Sequence, residues 1–222
     1  MNKTVKRRRI RIDRILIFLL ILVLFIFSFV FIFNIRISNI YIKNNDFLSD
    51  QEIIEIANLS FYPSTLRNLS FQIEKRLEDN IYIKDAKVYK KFLKVYIDIE
   101  ENTPLFYYEA VGKTILKDGK EVDEKVITPT VLNYIVDTYY DKFINEMAAI
   151  DKNVLLKISE IQFKPNEVDD NRFLLHMNDG NYVYINIKTF YKLNKYLSIK
   201  EGLPNKRGIL YLDYGNNFEI IK

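Results

Sequence analysis

The sequence predicts an α+β protein with a single N-terminal transmembrane helix, a β-α-α-β-β module and a mostly β C-terminal module with two helices. Three observations support this fold class. An unbroken apolar segment occupies residues 15–33, helical and alternating apolar patterns share residues 37–100, and two Asp-Gly pairs separate apolar runs in the remainder. Hydrophobic residues make up 49% and charged residues 28% of the chain, which is typical of a folded protein.

The apolar segment reads ILIFLLILVLFIFSFVFIF, with Ser28 as its one polar residue. A helix of this length extends about 28 Å, close to the hydrocarbon thickness of a bilayer. A buried core helix and a cleaved signal peptide are the alternatives. Signal peptides have shorter apolar stretches followed by small residues, whereas no alanine occurs here before Ala57. We therefore interpret residues 15–33 as an uncleaved transmembrane helix.

The charges that flank this helix predict its orientation. Residues 1–14 contain seven basic residues and one acid, whereas residues 34–48 contain two basic residues. The positive-inside rule makes residues 1–14 a cytoplasmic tail and places residues 34–222 outside, as in a single-pass type II protein of the cell membrane. The residues assigned this topology-determining role are Lys6, Arg7, Arg8, Arg9, Arg11 and Arg14.

The tail also accounts for the net charge of +4. It holds seven of the 33 basic residues and one of the 29 acids, so 26 basic and 28 acidic residues remain, a net charge of −2 for the rest. Nucleic-acid binding by the folded part therefore has no support. The chain contains no cysteine, which excludes disulfides, thiol catalysis and Cys-bound metal.

Helix and strand signals alternate along the first module. Residues 37–42 predict a brief strand that ends in an Asn-rich turn. Ser49 and Glu52 have the spacing of a capping box, which predicts the start of a short helix. Apolar residues at helical spacing predict a second helix at about 66–79. Two strands follow, and the second, residues 94–100, is expected to bury Val95, Ile97 and Ile99 on one face.

The pattern changes after Pro104, so we divide the exported part into residues 34–104 and 105–222. Asp-Gly pairs at 118–119 and 179–180 predict two β-hairpins. Helices are expected at about 138–150 and after Thr189, which we assign as an N-cap. A last hairpin is predicted to join Ile209–Leu212 to Phe218–Ile221.

Neither module shows a pattern that supports catalysis. His176 is the one histidine and is expected to be a half-exposed strand residue. Glu100 and Glu101 should point to opposite faces of a strand, and Asp169-Asp170 fits a solvated turn. Phosphate-binding loops and nucleophile motifs are not found in the sequence. We therefore predict no catalytic residue, metal site or cofactor, and interpret the exported part as a binding module.

The predicted topology, the order of the elements and several short motifs resemble those of the FtsQ/DivIB family of bacterial cell-division proteins. The most specific piece is VYIDIEENTP at residues 95–104, which is similar to the alternating strand, Glu and Pro that end the family's POTRA domain. ISEI at residues 158–161 resembles a segment of the family's β-domain. Two departures are Asn44, where the family often has Gly, and Phe92, where a Pro is usual.

The resemblance implies a POTRA domain at residues 34–104 and a β-domain at residues 105–222. It implies a non-enzymatic scaffold at the division septum that binds FtsL-like and FtsB/DivIC-like single-pass proteins, with no nucleic acid or small-molecule substrate. By position, the last hairpin matches the family's partner-binding region. The residues assigned to partner binding are Leu212, Tyr214 and Phe218.

Ordinary hairpin packing is the alternative explanation for these aromatic residues. A proline at Tyr211 or Leu212 is expected to remove an N–H donor that a partner strand needs, if that N–H faces an open edge. Two other functions stay open at this point. One is a membrane-anchored envelope enzyme such as a wall hydrolase, and the other is a POTRA-type chaperone that binds many unfolded chains.

Replacing the seven basic tail residues by neutral ones is expected to give mixed or inverted insertion, because these charges set the orientation. In wild-type cells stripped of their wall, external protease should degrade residues 34–222. Immunoblotting of both strains after protease treatment measures the difference. Full protection of residues 34–222 in the wild type would overturn the predicted topology.

Overall fold

A computed structural model describes residues 12–203 and 207–221 of the chain. The apolar segment forms a single helix, α1 (Ile12–Phe33), which begins three residues before the predicted span. Its apolar side chains are exposed along its length, and by length and composition it can cross a membrane. Arg14 lies in its first turn, whereas Lys6, Arg7, Arg8, Arg9 and Arg11 lie outside the described residues.

The chain divides into two units between Glu101 and Asn102. After α1, the first unit contains β1 (Asn39–Lys43), α2 (Asp50–Ile56), α3 (Ser70–Glu78), β2 (Ile83–Lys91) and β3 (Lys94–Glu101). Its described strands form a three-stranded sheet in the order β1-β3-β2. β1 is parallel and β2 antiparallel to the central strand β3.

The predicted buried face of β3 is confirmed. Val95, Ile97 and Ile99 are 0%, 1% and 3% exposed and pack in one cluster with residues of both helices, including Ile53 and Leu77. The alternation of the strand therefore matches the pleat, and one face of the sheet is covered by α2 and α3.

The predicted capping box at the start of α2 is confirmed as well. Ser49 Oγ accepts a hydrogen bond from the Glu52 N–H at 3.3 Å, and Glu52 Oε2 accepts one from the Ser49 N–H at 2.8 Å. The turn before it contains Asn44 at a φ of 63°. Asparagine tolerates the left-handed region better than most residues, which explains how this turn forms without the usual glycine.

The second helix is shorter than predicted, because α3 begins at Ser70 and not at residue 66. The residues before it pair with the chain that follows α1. The Thr65 N–H donates to Ile35 O at 2.9 Å, and the Ile37 N–H donates to Pro63 O at 3.0 Å. Backbone groups bonded to a distant segment cannot also form the ladder of a helix.

The second unit begins at Asn102, and Pro104 is the first residue of its first strand. Its elements are β4 (Pro104–Tyr108), β5 (Lys113–Leu116), β6 (Glu121–Val122), β7 (Thr130–Val131), α4 (Asp137–Ala148), α5 (Lys152–Leu155), β8 (Ile158–Phe163), β9 (Arg172–Met177), β10 (Tyr182–Asn186), a 3-10 helix (Ile187–Lys195), α6 (Tyr196–Glu201), β11 (Gly208–Tyr211) and β12 (Asn217–Ile220). Among the described residues, these strands form a nine-stranded sheet in the order β12-β11-β10-β9-β8-β7-β4-β5-β6.

The helices of this unit lie in crossover connections. β7 and β8 are parallel, as are β10 and β11, and parallel neighbours cannot be joined by a tight turn. α4 and α5 make the first connection, and the 3-10 helix and α6 make the second. Phe143 of α4 stacks on Phe173 of β9 with ring centroids 4.8 Å apart, and Phe190 meets Phe173 edge-on at 6.0 Å. These buried rings hold both connections against the sheet.

Both predicted Asp-Gly hairpins are confirmed, with Gly119 and Gly180 at φ of 84° and 83°. The N-cap assigned to Thr189 is wrong. Asn186 occupies that position, and its Oδ1 accepts a hydrogen bond from the Thr189 N–H at 3.1 Å, while Thr189 Oγ1 accepts from the Asn186 N–H. The helix consequently begins earlier than expected, as a 3-10 helix, and α5 is one further turn that the apolar pattern did not predict.

Ile97→Asp is expected to destabilise the first unit by at least about 3 kcal/mol, because it places a carboxylate in an apolar cluster. Lys87→Ala is the matched control on the neighbouring strand β2, since the Lys87 side chain is 80% exposed. Thermal unfolding of the full chain in detergent, followed by circular dichroism, measures both. An unchanged melting curve for Ile97→Asp would contradict the buried position of this strand.

Candidate partner-binding edge

The last hairpin forms one edge of the large sheet. β11 lies between β10 and β12, and β12 is the terminal strand. Ile220 is 44% exposed, Glu219 is exposed and Phe218 is half-buried. A terminal strand presents main-chain N–H and C=O groups on its outer side, so β12 offers a surface that an added strand can extend.

The hydrogen-bond register shows which main-chain groups of β12 face outward. β11 and β12 are antiparallel, with Ile209 opposite Glu219 and Leu210 opposite Phe218. The Ile221 N–H donates inward to Arg207 O at 3.0 Å. Inward main-chain bonds occur at every second residue of an antiparallel strand, so the N–H of Glu219 also faces β11. The N–H groups of Phe218 and Ile220 therefore point to the open side.

β12 approaches β11 closely at Gly208. A Cβ at this position would overlap Glu219 O and the ring of Phe218. Glycine is therefore required for the half-buried Phe218 ring to lie across β11. The predicted hairpin is confirmed, although each strand begins one residue earlier than expected.

Buried polar contacts fix the turn between β11 and β12. Arg172 Nε lies 2.7 Å from Asp213 Oδ2, and the Asp213 side chain is fully buried. The Arg172 guanidinium also lies 3.6 Å from the ring centroid of Tyr184 on β10. Lys192 Nζ donates to Leu212 O and to Gly215 O, each at 3.2 Å. The turn is thus attached to β9, β10 and the 3-10 helix.

Aromatic contacts continue across the outer strands. Tyr184 of β10 stacks on Tyr211 of β11 with ring centroids 5.5 Å apart. The Tyr211 hydroxyl donates to Glu219 Oε2 at 2.9 Å, and this hydrogen bond raises the pKa of Tyr211. Side chains therefore tie β12 to the sheet in addition to the ladder.

The three residues predicted to bind a partner lie in different environments. Tyr214 is 59% exposed in the turn, and Phe218 is half-buried against the core. Leu212 is fully buried, so it cannot touch a partner while the hairpin is folded. The proline proposed at Leu212 is also misplaced, since the Leu212 N–H donates to Tyr184 O at 2.8 Å inside the sheet.

Arg172, Asp213 and Lys192 are the residues that sequence reasoning missed at this site. Arg172 and Asp213 are separated by 41 residues along the chain, and no local pattern connects them. Lys192 lies on the 3-10 helix, and its contact with the turn depends on the crossover connection. One signal could have indicated the Arg172–Asp213 pair: Asp213 directly follows a predicted apolar strand, where an acidic side chain needs a partner.

The acidic pairs of the sequence have structural roles. Glu101 accepts hydrogen bonds from the N–H groups of Asp46, Phe47 and Leu48 at 2.9, 2.7 and 2.8 Å, which closes the turn before α2. Glu100 lies on the other face of β3, where its Oε1 is 2.6 Å from Lys84 Nζ. Glu101 is the acid of the segment that resembles the end of a POTRA domain, and its geometry explains why a carboxylate is needed there.

The solvated turn predicted at Asp169-Asp170 is confirmed for Asp170, which is exposed, and wrong for Asp169. Asp169 is 7% exposed, and its Oδ2 accepts a hydrogen bond from Asn186 Nδ2 at 2.7 Å. His176 is partly exposed as predicted, with Nδ1 3.0 Å from Glu160 Oε2. Across residues 12–203 and 207–221, no three or more His, Cys, Asp or Glu residues form a group that could hold a metal ion.

Arg172→Leu is expected to destabilise the second unit by about 3–5 kcal/mol, because it leaves the buried Asp213 carboxylate without its cation. The double variant Arg172→Leu/Asp213→Leu should recover part of this loss. Lys120→Leu is the control. Lys120 forms an exposed ion pair with Asp118, and exposed pairs contribute little to stability. Unfolding of the full chain in detergent compares the three, and equal melting of Arg172→Leu and Lys120→Leu would contradict this role.

A family model described as the FtsQ-type POTRA domain matches residues 35–102, which contain β1 to β3. Over 194 residues, the chain is 30% identical to the cell division protein DivIB of Bacillus subtilis (strain 168), and the match covers 83% of this chain and 74% of that protein. It is 26% identical over 195 residues to DivIB of Listeria monocytogenes, covering 83% of this chain and 72% of that one.

Among solved structures, the chain is similar to the major extracytoplasmic domain of the trans isomer of DivIB from Geobacillus stearothermophilus. That likeness has 23% identity and a TM-score of 0.39, and covers 47% of this chain and 95% of the other. The resemblance seen in the sequence is confirmed by the POTRA match and the B. subtilis relative. With an apolar helix long enough to anchor it in a membrane, the chain belongs to the DivIB family of bacterial cell division proteins.

Proposed function

We propose that this chain is a non-enzymatic scaffold of the divisome that binds FtsL-like and FtsB/DivIC-like single-pass proteins and so supports septum formation. In this proposal residues 1–14 are cytoplasmic, and residues 34–222 are extracytoplasmic and located at the division septum. The charge difference across α1 supports the orientation. The observation that carries the partner-binding role is the open edge of β12.

The edge suits a partner that adds one extended strand. Main-chain hydrogen bonds would form with the outward groups of Phe218 and Ile220, and they do not depend on the partner's side chains. Specificity would come from the exposed ring of Tyr214 and the accessible part of Phe218, because buried aromatic contacts dominate many interfaces. Leu212 supports this surface from within the core.

Preorganisation favours such a site. Arg172, Asp213 and Lys192 hold the turn in place before a partner arrives, so binding does not have to order it. The edge of β2 in the first unit differs, since Glu74 Oε1 accepts from the Val88 N–H at 2.7 Å. An acidic side chain thus occupies a position that a partner carbonyl would need there, which favours β12 as the binding edge.

A non-enzymatic role is supported by the use of the carboxylates. Glu101 accepts three backbone N–H groups, and Asp169 accepts from Asn186 and from the Asn171 N–H. Carboxylates engaged in this way stabilise turns and loops. They are poorly placed to exchange protons with a substrate.

Ile220→Pro is expected to weaken binding of the FtsB/DivIC-like partner's exported part, because it removes an outward donor without breaking a bond to β11. Ile220→Ala is its control, since it shortens the side chain and keeps the N–H.

Tyr214→Ala is expected to cost about 2 kcal/mol of binding free energy, roughly thirtyfold in Kd. Tyr191→Ala, at a tyrosine that is 63% exposed on the 3-10 helix, is the control for removing an exposed ring.

Binding is measured by titrating the partner fragment onto the full chain in lipid nanodiscs. Circular dichroism establishes that each variant is folded. If folded Ile220→Pro and Tyr214→Ala bind as tightly as wild type, the β12 edge is not the site and the first unit becomes the better candidate. Equal capture of many unrelated peptides would instead indicate a chaperone.

A further inference from the structure

We propose that the first unit rests on the bilayer surface through two aromatic loops, which insert into the headgroup layer of the leaflet on its own side. We name this surface the membrane-contact patch. It comprises Phe61, Tyr62, Leu66, Phe92 and Leu93, all of them exposed. The proposal is independent of the partner-binding role and of the orientation of α1.

Hydrogen bonds hold the first loop at the end of α1. Ser64 Oγ donates to the carbonyl of Phe33, the last residue of the helix. α1 has 22 residues and is about 33 Å long, so its end lies at the boundary between hydrocarbon and headgroups. Ser64 is therefore at headgroup depth, and Tyr62 and Leu66 are two residues to either side of it.

The second loop, the turn between β2 and β3, reaches the same part of the chain. Leu93 O accepts hydrogen bonds from the Ser38 N–H at 2.8 Å and from Ser38 Oγ at 3.3 Å. The preceding residue, Ile37, is itself bonded to Pro63 of the first loop. Both loops thus adjoin the short segment that connects α1 to β1.

Strained backbone marks the aromatic residues of both loops. Phe61, Tyr62 and Phe92 have φ of 63°, 49° and 56°, in the left-handed region that is unfavourable for an L-residue. Phe61 is 94% and Phe92 89% exposed, so packing within the described chain does not offset this cost. Apolar surroundings outside the chain would do so, because aromatic side chains favour the membrane interface.

Charge also fits a lipid surface. Residues 59–69 and 89–94 contain basic and aromatic residues but no acid. Arg36, Arg67 and Lys94 are exposed, and Arg67 Nη2 lies 3.4 Å from Asn34 Oδ1 just after α1. Basic side chains beside a membrane span attract anionic headgroups.

The two loops form a rigid support rather than separate flexible turns. Lys90 Nζ of β2 donates to Thr65 O at 2.7 Å and also to Asn68 O. Arg76 Nη1 of α3 donates to Ala57 O at 3.0 Å and to Asn68 Oδ1 at 2.9 Å. A patch fastened to both β2 and α3 would fix how the whole first unit is oriented on the membrane.

Tryptophan fluorescence tests the proposal, because the natural chain contains no tryptophan. Phe61→Trp and Phe92→Trp each introduce one reporter into the full chain, which is reconstituted in nanodiscs of anionic and zwitterionic lipid. We expect blue-shifted emission that loses most of its intensity when the lipids carry bromine near the headgroup end of their acyl chains. Tyr62→Trp is a further reporter in the same patch.

Phe47→Trp is the matched control, since Phe47 is a partly exposed phenylalanine beyond the other end of β1. β1 and its turn separate it from Ser38 by about 20 Å or more along the strand direction. Its emission should not be quenched by the brominated lipids. Melting curves establish that the reporters are folded.

Two results would overturn the proposal. One is that folded Phe61→Trp and Phe92→Trp are quenched no more than Phe47→Trp. The other is that their emission is blue-shifted but unaffected by brominated lipid, which would mean that protein covers the patch. Neither result bears on binding at β12, which is measured separately with the partner fragment.

Discussion

The pairing of main-chain N–H and C=O groups is the constraint on which both units depend, because an unpaired group is costly when buried and able to bind when exposed. In the first unit, Glu101 closes three amides of the turn before α2, and Glu74 covers part of the β2 edge. In the second unit, the outer side of β12 is left for pairing. The contrast between a partly covered edge and an open one supports the proposed site of strand addition.

The same constraint determines how the first unit meets its anchor. The backbone at Ile35 and Ile37 pairs with residues 63–65, so the chain leaves α1 in a bonded arrangement and not as a free linker. This pairing shortens α3 and leaves the apolar side chain of Leu66 exposed, which is unfavourable in water. Beside a bilayer, in the proposed arrangement, the exposed side chain helps to attach the unit to the membrane surface.

Local signals predicted much of the fold, because each depends on residues near one another in the chain. The capping box at Ser49, the turn at Gly180 and the buried face around Ile97 are of this kind. The start of α3 and the Arg172–Asp213 pair depend on contacts between distant segments, which no periodicity contains. The partner-binding role of Tyr214 stays a prediction that its exposure allows, whereas the burial of Leu212 depends on the packing of the whole sheet.

The β12 edge and the membrane-contact patch would affect the affinity for a partner in different ways. An open edge of four residues offers few main-chain bonds, so strand addition at β12 would be weak for two proteins that meet in solution. In the proposed complex both proteins would be anchored, so the membrane would confine them and raise their effective concentration. A first unit attached to the bilayer through its two loops would raise it further by limiting the orientations of the chain. Modest affinity at the edge would then suffice for assembly and still allow release.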